Sequence, residues 1–328
     1  MKNILILGGT QFAGRQLSER LVARSGLNLT LFHRGRTHPE LFPEARHVFG
    51  DRETDDIRQV NRQDWDAVVD FSAYYPRTLR SLAQALCGRT GRYLLVSSIS
   101  AYAMDESSDP VPVDENYPTQ SWQPEDEIDT GHASYGKRKA ACEQALFGLP
   151  ELNPVIFRPG LMYGAYDPTD RFYYWLWRFA RRQKLLVPDV LGLRSQWTYA
   201  GDFAAILEQA LIGPQPPRRA YHILTHPPLS YAEFFTQLEA VCGHTPKRKL
   251  VSEAWLEAEE LQFWRDFPLF LSFERLFDTR AQQQDIPVPL TPFAQSLDQS
   301  REYYTRLGWP VPTAGISPEQ EDQLLKSL

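Results

Sequence analysis

Tyr135 and Lys139 lie four residues apart in the segment A-S-Y-G-K-R-K-A-A-C-E, which we predict to be helical. Residues four apart share one face of a helix, so the Lys139 ammonium would lie beside the Tyr135 phenol. A nearby positive charge lowers the pKa of a phenol toward neutrality, where the phenol can protonate a carbonyl or deprotonate an alcohol. The pair therefore predicts that Tyr135 is the acid–base group of a hydride transfer to or from a nicotinamide.

A third polar side chain, Ser98, follows a short apolar strand that we predict over Tyr93–Ser97. A hydroxyl at this place would hydrogen-bond the substrate oxygen and hold it in line. A Tyr-x-x-x-Lys pair alone is common by chance, and an exposed helix face is the ordinary alternative. The order of the three residues along the chain favours a catalytic set of Ser98, Tyr135 and Lys139.

A glycine-rich turn near the N-terminus could bind the phosphates of a dinucleotide. It covers Gly8–Gly14, after a predicted strand over Asn3–Leu7 and at the start of a predicted helix over Gly14–Arg24. Glycines permit a tight turn and a close approach of backbone to a pyrophosphate, whose charge then lies at a helix N-terminus. A purely structural turn is the alternative, and the strand-turn-helix context favours the phosphate site. Because Gln11 replaces the usual middle glycine, we expect a side-chain amide in place of one backbone contact.

The end of the second predicted strand carries cations instead of a carboxylate. Arg34 and Arg36 follow Phe32, and no Asp or Glu is present there to bind a ribose 2′-hydroxyl. Guanidinium groups suit a 2′-phosphate, which favours NADP as cofactor, with NAD as the alternative. A solvated basic turn is the other interpretation. After the third predicted strand, Asp51 could accept from an adenine amino group, although Asp is common in such turns for local reasons.

The composition limits the classes of function. The chain has 328 residues, of which 42% are hydrophobic, with a formal net charge of -6 and a pI near 5.7. An acidic balance argues against general affinity for nucleic acid, which requires a basic surface. Cys87, Cys142 and Cys242 lie far apart without a metal-ligand spacing, so we predict a reducing compartment and no metal. Without a long apolar run or a signal peptide, we expect no contact with a membrane and a cytoplasmic location.

Short apolar runs alternate with amphipathic stretches in the first half of the chain, which predicts βαβ units and a parallel sheet. The predicted strands are Asn3–Leu7, Asn28–Phe32, His47–Phe49, Ala67–Asp70, Tyr93–Ser97, Asn153–Phe157 and Ala220–Leu224. The predicted helices, besides those already given, are Arg77–Leu86, Phe172–Arg182, Asp202–Leu211, Glu253–Leu261 and Pro292–Leu307. The acidic, proline-rich segment Asp105–Asp129 is predicted to be a long loop or lid, and the chain beyond Ser230 to be mostly helical.

Five segments in about the first half of the chain carry a resemblance to a known superfamily. They are L-I-L-G-G-T-Q-F-A-G-R, V-V-D-F-S-A-Y, L-V-S-S-I-S-A-Y, S-Y-G-K-R-K-A-A-C-E and I-F-R-P-G-L-M-Y-G. With these motifs the chain resembles the short-chain dehydrogenase/reductase superfamily in its extended form, which is similar to sugar-nucleotide epimerases and dehydratases. The motifs G-G-T-Q-F-A-G, Arg34-Gly35 and D-P-T-D-R-F-Y-Y-W resemble the atypical subgroup typified by the chloroplast stem-loop-binding proteins.

The resemblance implies an α/β fold: a doubly wound parallel-sheet Rossmann domain with a smaller, interleaved C-terminal α/β substrate lobe. The first would cover residues 1–165 and about 195–225, and the second about 166–194 and 226–328. The superfamily's catalytic Ser, Tyr and Lys fall on Ser98, Tyr135 and Lys139. Its cofactor contacts fall on Gly8, Thr10, Gln11, Phe12, Gly14, Arg34, Asp51, Phe71, Ser72, Ala73, Arg158, Pro159 and Gly160. Expected substrate contacts are Tyr74, Ser100, Arg171 and Arg194.

Two departures from the superfamily narrow the expected function. Ser98 is followed by Ile99-Ser100, where dehydratases carry an Asp-Glu pair, so we do not expect dehydration. Ser195 stands where many epimerases have an arginine that binds the substrate diphosphate, and Arg194 or Arg171 could substitute for it.

We therefore predict an NAD(P)-dependent epimerase or reductase that acts on a sugar or sugar-nucleotide-like substrate, with a homodimer as an open expectation. The alternative is an RNA-binding or regulatory protein with a vestigial dehydrogenase site. In that case Tyr173, Trp175 and Trp177 could stack bases, although aromatic side chains at helical spacing more often form a core. The acidic charge and the intact Ser-Tyr-Lys set weigh against RNA.

Overall fold

A computed structural model of the chain describes residues 1–86, 88–104, 112–123, 131 and 133–328. The predicted loop over Asp105–Asp129 lies outside the described residues except for 112–123, and Cys87 also lies outside them.

Most of the described chain forms short strands and helices. The strands are β1 (Lys2–Leu7), β2 (Leu27–His33), β3 (Arg46–Phe49), β4 (Ala67–Asp70), β5 (Tyr93–Val96), β6 (Pro154–Pro159), β7 (Leu161–Tyr163), β8 (Lys184–Pro188), β9 (Arg194–Ser195), β10 (Trp197–Tyr199), β11 (Ala220–Ile223), β12 (Leu229–Ser230) and β13 (Lys247–Val251). The helices are α1 (Phe12–Val22), α2 (Pro76–Leu86), α3 (Tyr135–Phe147), α4 (Arg171–Arg181), α5 (Ala200–Ile212), α6 (Tyr231–Cys242), α7 (Glu253–Ala258), α8 (Arg280–Asp285), α9 (Phe293–Arg306) and α10 (Pro318–Ser327). Within the described residues, each helix is too short or too polar to traverse a lipid bilayer.

The chain divides into two compact units. The first unit consists of Met1–Gly160, Ala200–Leu224 and Phe277–Pro289. The second unit consists of Leu161–Tyr199, Thr225–Leu276 and Leu290–Leu328.

The first unit is built on a parallel sheet of seven described strands, in the order β11-β6-β5-β4-β1-β2-β3. Residues Ile4–Leu7 of β1 are fully buried, because helices cover both faces of the sheet. Leu5 and Leu7 pack into one core with α2 and α3, while α1 packs against α5. This architecture confirms the predicted α/β class with a doubly wound parallel sheet. The strand order reverses beside β1, and ligands of such sheets bind at the carboxyl ends of the strands at that point.

The second unit has short strand pairs and an aromatic core. Its described strands pair as β7 with β10, β9 with β12, and β8 with β13. The core contains fully buried Trp175 of α4, Trp197 of β10, and Phe234 and Phe235 of α6. Trp175 also stacks on Phe270, with ring centroids 4.3 Å apart. The unit is therefore held together mainly by large aromatic side chains.

Candidate active site

The glycine-rich turn between β1 and α1 brings two backbone segments into contact. Gly8 has a φ of +89°, a conformation that favours glycine. A Cβ atom on Gly14 would lie 2.2 Å from the carbonyl oxygen of Gly8, so a larger residue would displace the backbone. Thr10 is buried and Gln11 is exposed; in the described chain the Gln11 side chain forms no capping hydrogen bond to α1, which begins at Phe12. A backbone turn this close to a helix N-terminus fits the pyrophosphate of a dinucleotide.

The turn after β2 presents two cations to solvent. Arg34 and Arg36 are exposed, and neither forms an ion pair or hydrogen bond with another described residue. The predicted adenine ligand Asp51 has a local partner, since its Oδ1 accepts from the backbone N–H of Glu53 at 3.0 Å. This turn is the local role that Asp often has after a strand.

A buried ion pair fixes the turn Phe71–Ala73 that follows β4. Arg52 donates from Nη1 and Nη2 to the Asp70 carboxylate at 2.6 and 2.9 Å, and Nη1 also donates to Ser72 Oγ at 2.9 Å. The Tyr93 hydroxyl donates to Asp70 at 2.5 Å. Burial alone would raise the pKa of Asp70, but the charge and hydrogen bonds of Arg52 outweigh burial and hold that pKa below its usual value. We call Arg52, Asp70, Ser72 and Tyr93 the Asp70 cluster.

Lys139 is buried, with its ammonium bound to the carboxyl edge of the sheet. Nζ donates to the carbonyl oxygens of Ala73 and Val96 at 3.0 and 2.9 Å. An ammonium has three donors, so the third remains for a ligand or substrate. Nζ lies 4.8 Å from the ring centre of exposed Tyr74 and 5.8 Å from that of Tyr135. The structure thus brings the Lys139 charge beside both phenol rings.

Ser98 lies directly after β5 and begins the 3-10 helix Ile99–Ala101. Its Oγ accepts from the N–H of Ser100 at 3.1 Å and donates to Ser100 Oγ at 3.2 Å. The start of α3 packs against this short helix, because a Cβ on Gly136 would lie only 2.1 Å from the Ser100 carbonyl oxygen. Gly136 therefore permits half-buried Tyr135 to approach the segment that carries Ser98.

A second buried ion pair joins α3 to β6. Arg158 donates to the Glu143 carboxylate from Nε at 3.0 Å and from Nη2 at 2.5 Å, and the Ser97 hydroxyl also donates to Glu143. Arg158 Nη1 donates to the Tyr102 oxygen at 2.5 Å. The Arg158 side chain is therefore engaged by Glu143 and Tyr102, and its backbone lies in β6, which pairs with β5 on one side and β11 on the other. Strand β6 ends at Pro159. The next residue, Gly160, donates its N–H to the carbonyl oxygen of Ile223 in β11 at 3.3 Å.

The hydrogen bonds of this ion pair continue to a buried histidine. His222 Nδ1 lies 2.8 Å from the carbonyl oxygen of Asp278, so Nδ1 carries the proton and donates. His222 Nε2 then accepts from the Tyr102 hydroxyl at 2.5 Å. Burial lowers the pKa of His222 to about 4, so the ring is neutral at pH 7. We call Ser97, Tyr102, Glu143, Arg158 and His222 the Glu143 cluster.

The two predicted substrate arginines belong to the second unit, whereas the predicted catalytic residues belong to the first. Arg194 forms an ion pair with Glu274, with Nη2 and Oε2 2.8 Å apart. Arg171 donates from Nε to Thr169 Oγ1 at 3.2 Å, and its guanidinium lies 5.5 Å from the ring centre of Trp264.

The aromatic residues of α4 are core residues. Tyr173, Trp175 and Trp177 are only 1%, 0% and 8% exposed. The suggestion that these rings could stack bases is therefore wrong. Arg178 of the same helix is buried too, in an ion pair with Glu321.

The buried partners of the predicted site residues are not among the residues predicted from the sequence. Asp70 and Glu143 end the otherwise apolar segments A-V-V-D and A-A-C-E. A carboxylate that is buried requires a charged or hydrogen-bonding partner, so these positions carried a signal. Nothing local to Arg52 or Arg158 identifies either residue as that partner.

Comparison with known proteins places the chain in a family. Residues 4–223 match the model of the NAD dependent epimerase/dehydratase family. The chain therefore belongs to the NAD-dependent epimerase/dehydratase family, which confirms the predicted superfamily.

Individual relatives are distant. The chain is 25% identical over 239 residues to the chloroplast stem-loop binding protein of 41 kDa b of Arabidopsis thaliana; the match covers 68% of this chain and 58% of that protein's length. The fold is similar to that of UDP-glucuronic acid 4-epimerase from Bacillus cereus, solved with NAD, with a TM-score of 0.70, 15% identity, and coverage of 94% of this chain and 100% of that one. It is also similar to the Bordetella bronchiseptica enzyme WbmH, solved with NAD+, with a TM-score of 0.72, 19% identity, and coverage of 94% and 99%.

Proposed function

We propose that this chain is an epimerase that oxidises and re-reduces a carbinol carbon of a sugar nucleotide with a bound nicotinamide dinucleotide. The observation that carries this proposal is the position of the Lys139 ammonium, which two backbone carbonyls hold 5.8 Å from the Tyr135 ring. Family membership and the two NAD-bound structural relatives support the class of cofactor and substrate.

The cofactor would lie along the carboxyl edge of the sheet. The turn from Gly8 to Gly14 would hold its pyrophosphate, and the exposed Arg34 and Arg36 would hold a 2′-phosphate. We therefore propose a preference for NADP, although the solved relatives carry NAD. When bound, the nicotinamide supplies the hydride acceptor and donor.

Residues of this chain would transfer the proton of the substrate hydroxyl. The Tyr135 phenolate oxygen takes the proton of a substrate hydroxyl during oxidation and returns it during reduction. The Lys139 ammonium stabilises the phenolate by its charge, and Ser98 Oγ hydrogen-bonds the substrate oxygen. Ile99 and Ser100 supply no carboxylate beside Ser98, so we do not propose dehydration.

The test is a Tyr135→Phe variant assayed on a panel of UDP- and dTDP-sugars for interconversion of epimers. Because general acid–base catalysis contributes about 10²–10⁴-fold, turnover should fall by at least about a hundredfold while dinucleotide binding remains. Tyr303→Phe, on α9 of the second unit, removes a phenolic oxygen elsewhere and should retain activity.

Two results would contradict the proposal: full activity of the Tyr135→Phe variant, or absence of dinucleotide binding by the wild-type protein. Mass spectrometry of nucleotide released from the purified protein distinguishes the reactions. Retained, oxidised cofactor indicates an epimerase, whereas cofactor that is consumed stoichiometrically with substrate indicates a reductase.

A further inference from the structure

Two histidines form a directional chain of hydrogen bonds beside the basic turn after β2. His47 Nε2 lies 3.1 Å from the carbonyl oxygen of Phe42, which can only accept, so Nε2 carries the proton. His47 Nδ1 is then an acceptor, and His33 Nε2 donates to it at 2.8 Å. His33 Nδ1 in turn accepts from the backbone N–H of Gly35 at 3.2 Å. Both imidazoles are therefore neutral, and each ring nitrogen has a defined role.

These hydrogen bonds fix the conformation of the turn at Gly35. Gly35 has a φ of +69°, and a Cβ added to it would lie 3.1 Å from the Phe49 ring. Phe49 also packs edge-on against the His33 ring, with centroids 5.1 Å apart. His33 Nδ1 accepts the N–H two residues ahead, as an Asn or Asp side chain does in an Asx turn. Burial lowers the pKa of His33 and favours this neutral, accepting form.

The residues on either side of Gly35 are the two exposed arginines. Arg34 and Arg36 have no ion-pair or hydrogen-bonding partner in the described part of the chain, so their charges are not compensated there. Two guanidinium groups on a turn of fixed shape form an arrangement suited to a phosphate dianion. If the turn loosened, both charges would have to be ordered when the ligand binds, which costs affinity.

We propose that His33 is a positioning residue that determines cofactor specificity. Through Nδ1 it fixes the Gly35 turn, and the turn presents Arg34 and Arg36 to the 2′-phosphate of NADP. The inference rests on the proposed dinucleotide site. His33 acts only through the turn, so its loss should weaken binding of NADP and leave binding of NAD nearly unchanged.

The experiment compares His33→Leu with His33→Asn by calorimetric titration of the full chain with NADP and NAD at one fixed salt concentration. Leu removes the acceptor, whereas the Asn amide oxygen can accept from the same N–H. We expect the NADP preference of the wild type to fall about tenfold in His33→Leu, since loss of one hydrogen bond worth about 1.4 kcal/mol corresponds to that factor. The preference should survive in His33→Asn, and the Kd for NAD should stay within about twofold in both variants.

An Arg34→Gln variant separates the two levels of the proposal. If Arg34→Gln loses the NADP preference and His33→Leu keeps it, the role of His33 is refuted and the dinucleotide site stands. The role is equally refuted if the wild type binds NAD without preferring NADP, or if His33→Leu and His33→Asn lose both nucleotides together with thermal stability. If the wild type binds neither nucleotide, the proposed function fails as well.

Discussion

The two buried ion pairs of the first unit differ in the elements that they join. In the Asp70 cluster the carboxylate ends β4, and its arginine comes from the loop after β3. In the Glu143 cluster the carboxylate lies on α3, and its arginine lies on β6. The first cluster therefore ties two loops beside the proposed cofactor site, whereas the second ties the helix that carries Tyr135 and Lys139 to the sheet.

The two clusters also differ in how they respond to protons. The charges of Arg52 and Asp70 do not change near pH 7, because Arg52 holds the pKa of Asp70 below its usual value. The Glu143 cluster ends at neutral His222, which accepts a proton as the pH falls toward 4. The turn after β4 is thus held by groups that do not titrate near pH 7, whereas the helix that carries Tyr135 and Lys139 is bound to a network that contains a titratable histidine.

The largest effect is expected from Asp70→Asn. The substitution leaves the Arg52 guanidinium buried without a counter-charge, which should lower the free energy of unfolding by about 3–5 kcal/mol. Urea denaturation of the full chain measures this loss. Asp64→Asn is the matched control, since Asp64 forms an exposed ion pair with Arg89. If the two variants were equally stable, the Asp70 ion pair would not differ from a surface pair.

A pH titration of stability sharpens the contrast between the clusters. The pKa of His222 is about 4 in the folded chain and about 6.5 when unfolded. The stability that comes from its neutral ring is therefore fully present above pH 6.5, and the free energy of unfolding decreases as pH falls toward 4. The loss should reach about 3 kcal/mol. His222→Gln should reduce this pH dependence, and Asp70→Asn should not change it between pH 7 and 5. Burial also lowers the pKa of His226 to about 4, and His226 lies in the second unit. His226→Gln therefore measures how much of the pH dependence of stability comes from that unit. A His222→Gln variant with the wild-type slope would contradict the assignment.

The sequence predicted the sheet well because its signals are local. Short apolar runs that end at a glycine, such as Ile4–Leu7, are typical of buried strands, and glycines at Gly8 and Gly14 are required by the turn that follows. Predicted strand ends agree with the observed ones to within about two residues for this reason. The residues at strand ends, such as Ser98, could be listed as candidates because parallel strands align their carboxyl ends.

The second unit and the buried partners could not be predicted in this way. Strand β8 pairs in parallel with β13, which lies more than fifty residues later in the chain. The sequence predicts mostly helix beyond Ser230, where β13 lies. Phe277–Pro289 joins the first unit because Phe277 stacks on Tyr102, a contact between residues far apart in the chain. Such pairings depend on packing in three dimensions, for which local propensity carries little information.

Two tyrosines offer a smaller, matched test of the clusters. Tyr102→Phe removes one hydroxyl that both accepts from Arg158 and donates to His222, so two buried groups lose a partner. Tyr93→Phe removes one donor to Asp70, which keeps both bonds from Arg52. We expect losses of about 2–3 kcal/mol and about 1–2 kcal/mol respectively in the free energy of unfolding. Thermal and urea denaturation at pH 7 measure both, and the reverse order would show that the Glu143 cluster is the less tightly coupled of the two.

The smallest effect on stability is expected from an exposed pair in the second unit. Arg194→Met breaks the exposed ion pair with Glu274, and exposed pairs contribute little, so the denaturation curve should be unchanged within error. Binding should respond differently if Arg194 meets the diphosphate of the substrate, because Glu274 then competes for the same guanidinium. Titration with UDP should show weaker binding to Arg194→Met and tighter binding to Glu274→Gln. If both variants bind UDP like the wild type, Arg194 is not the diphosphate ligand, and Arg171 is the substrate arginine to test next.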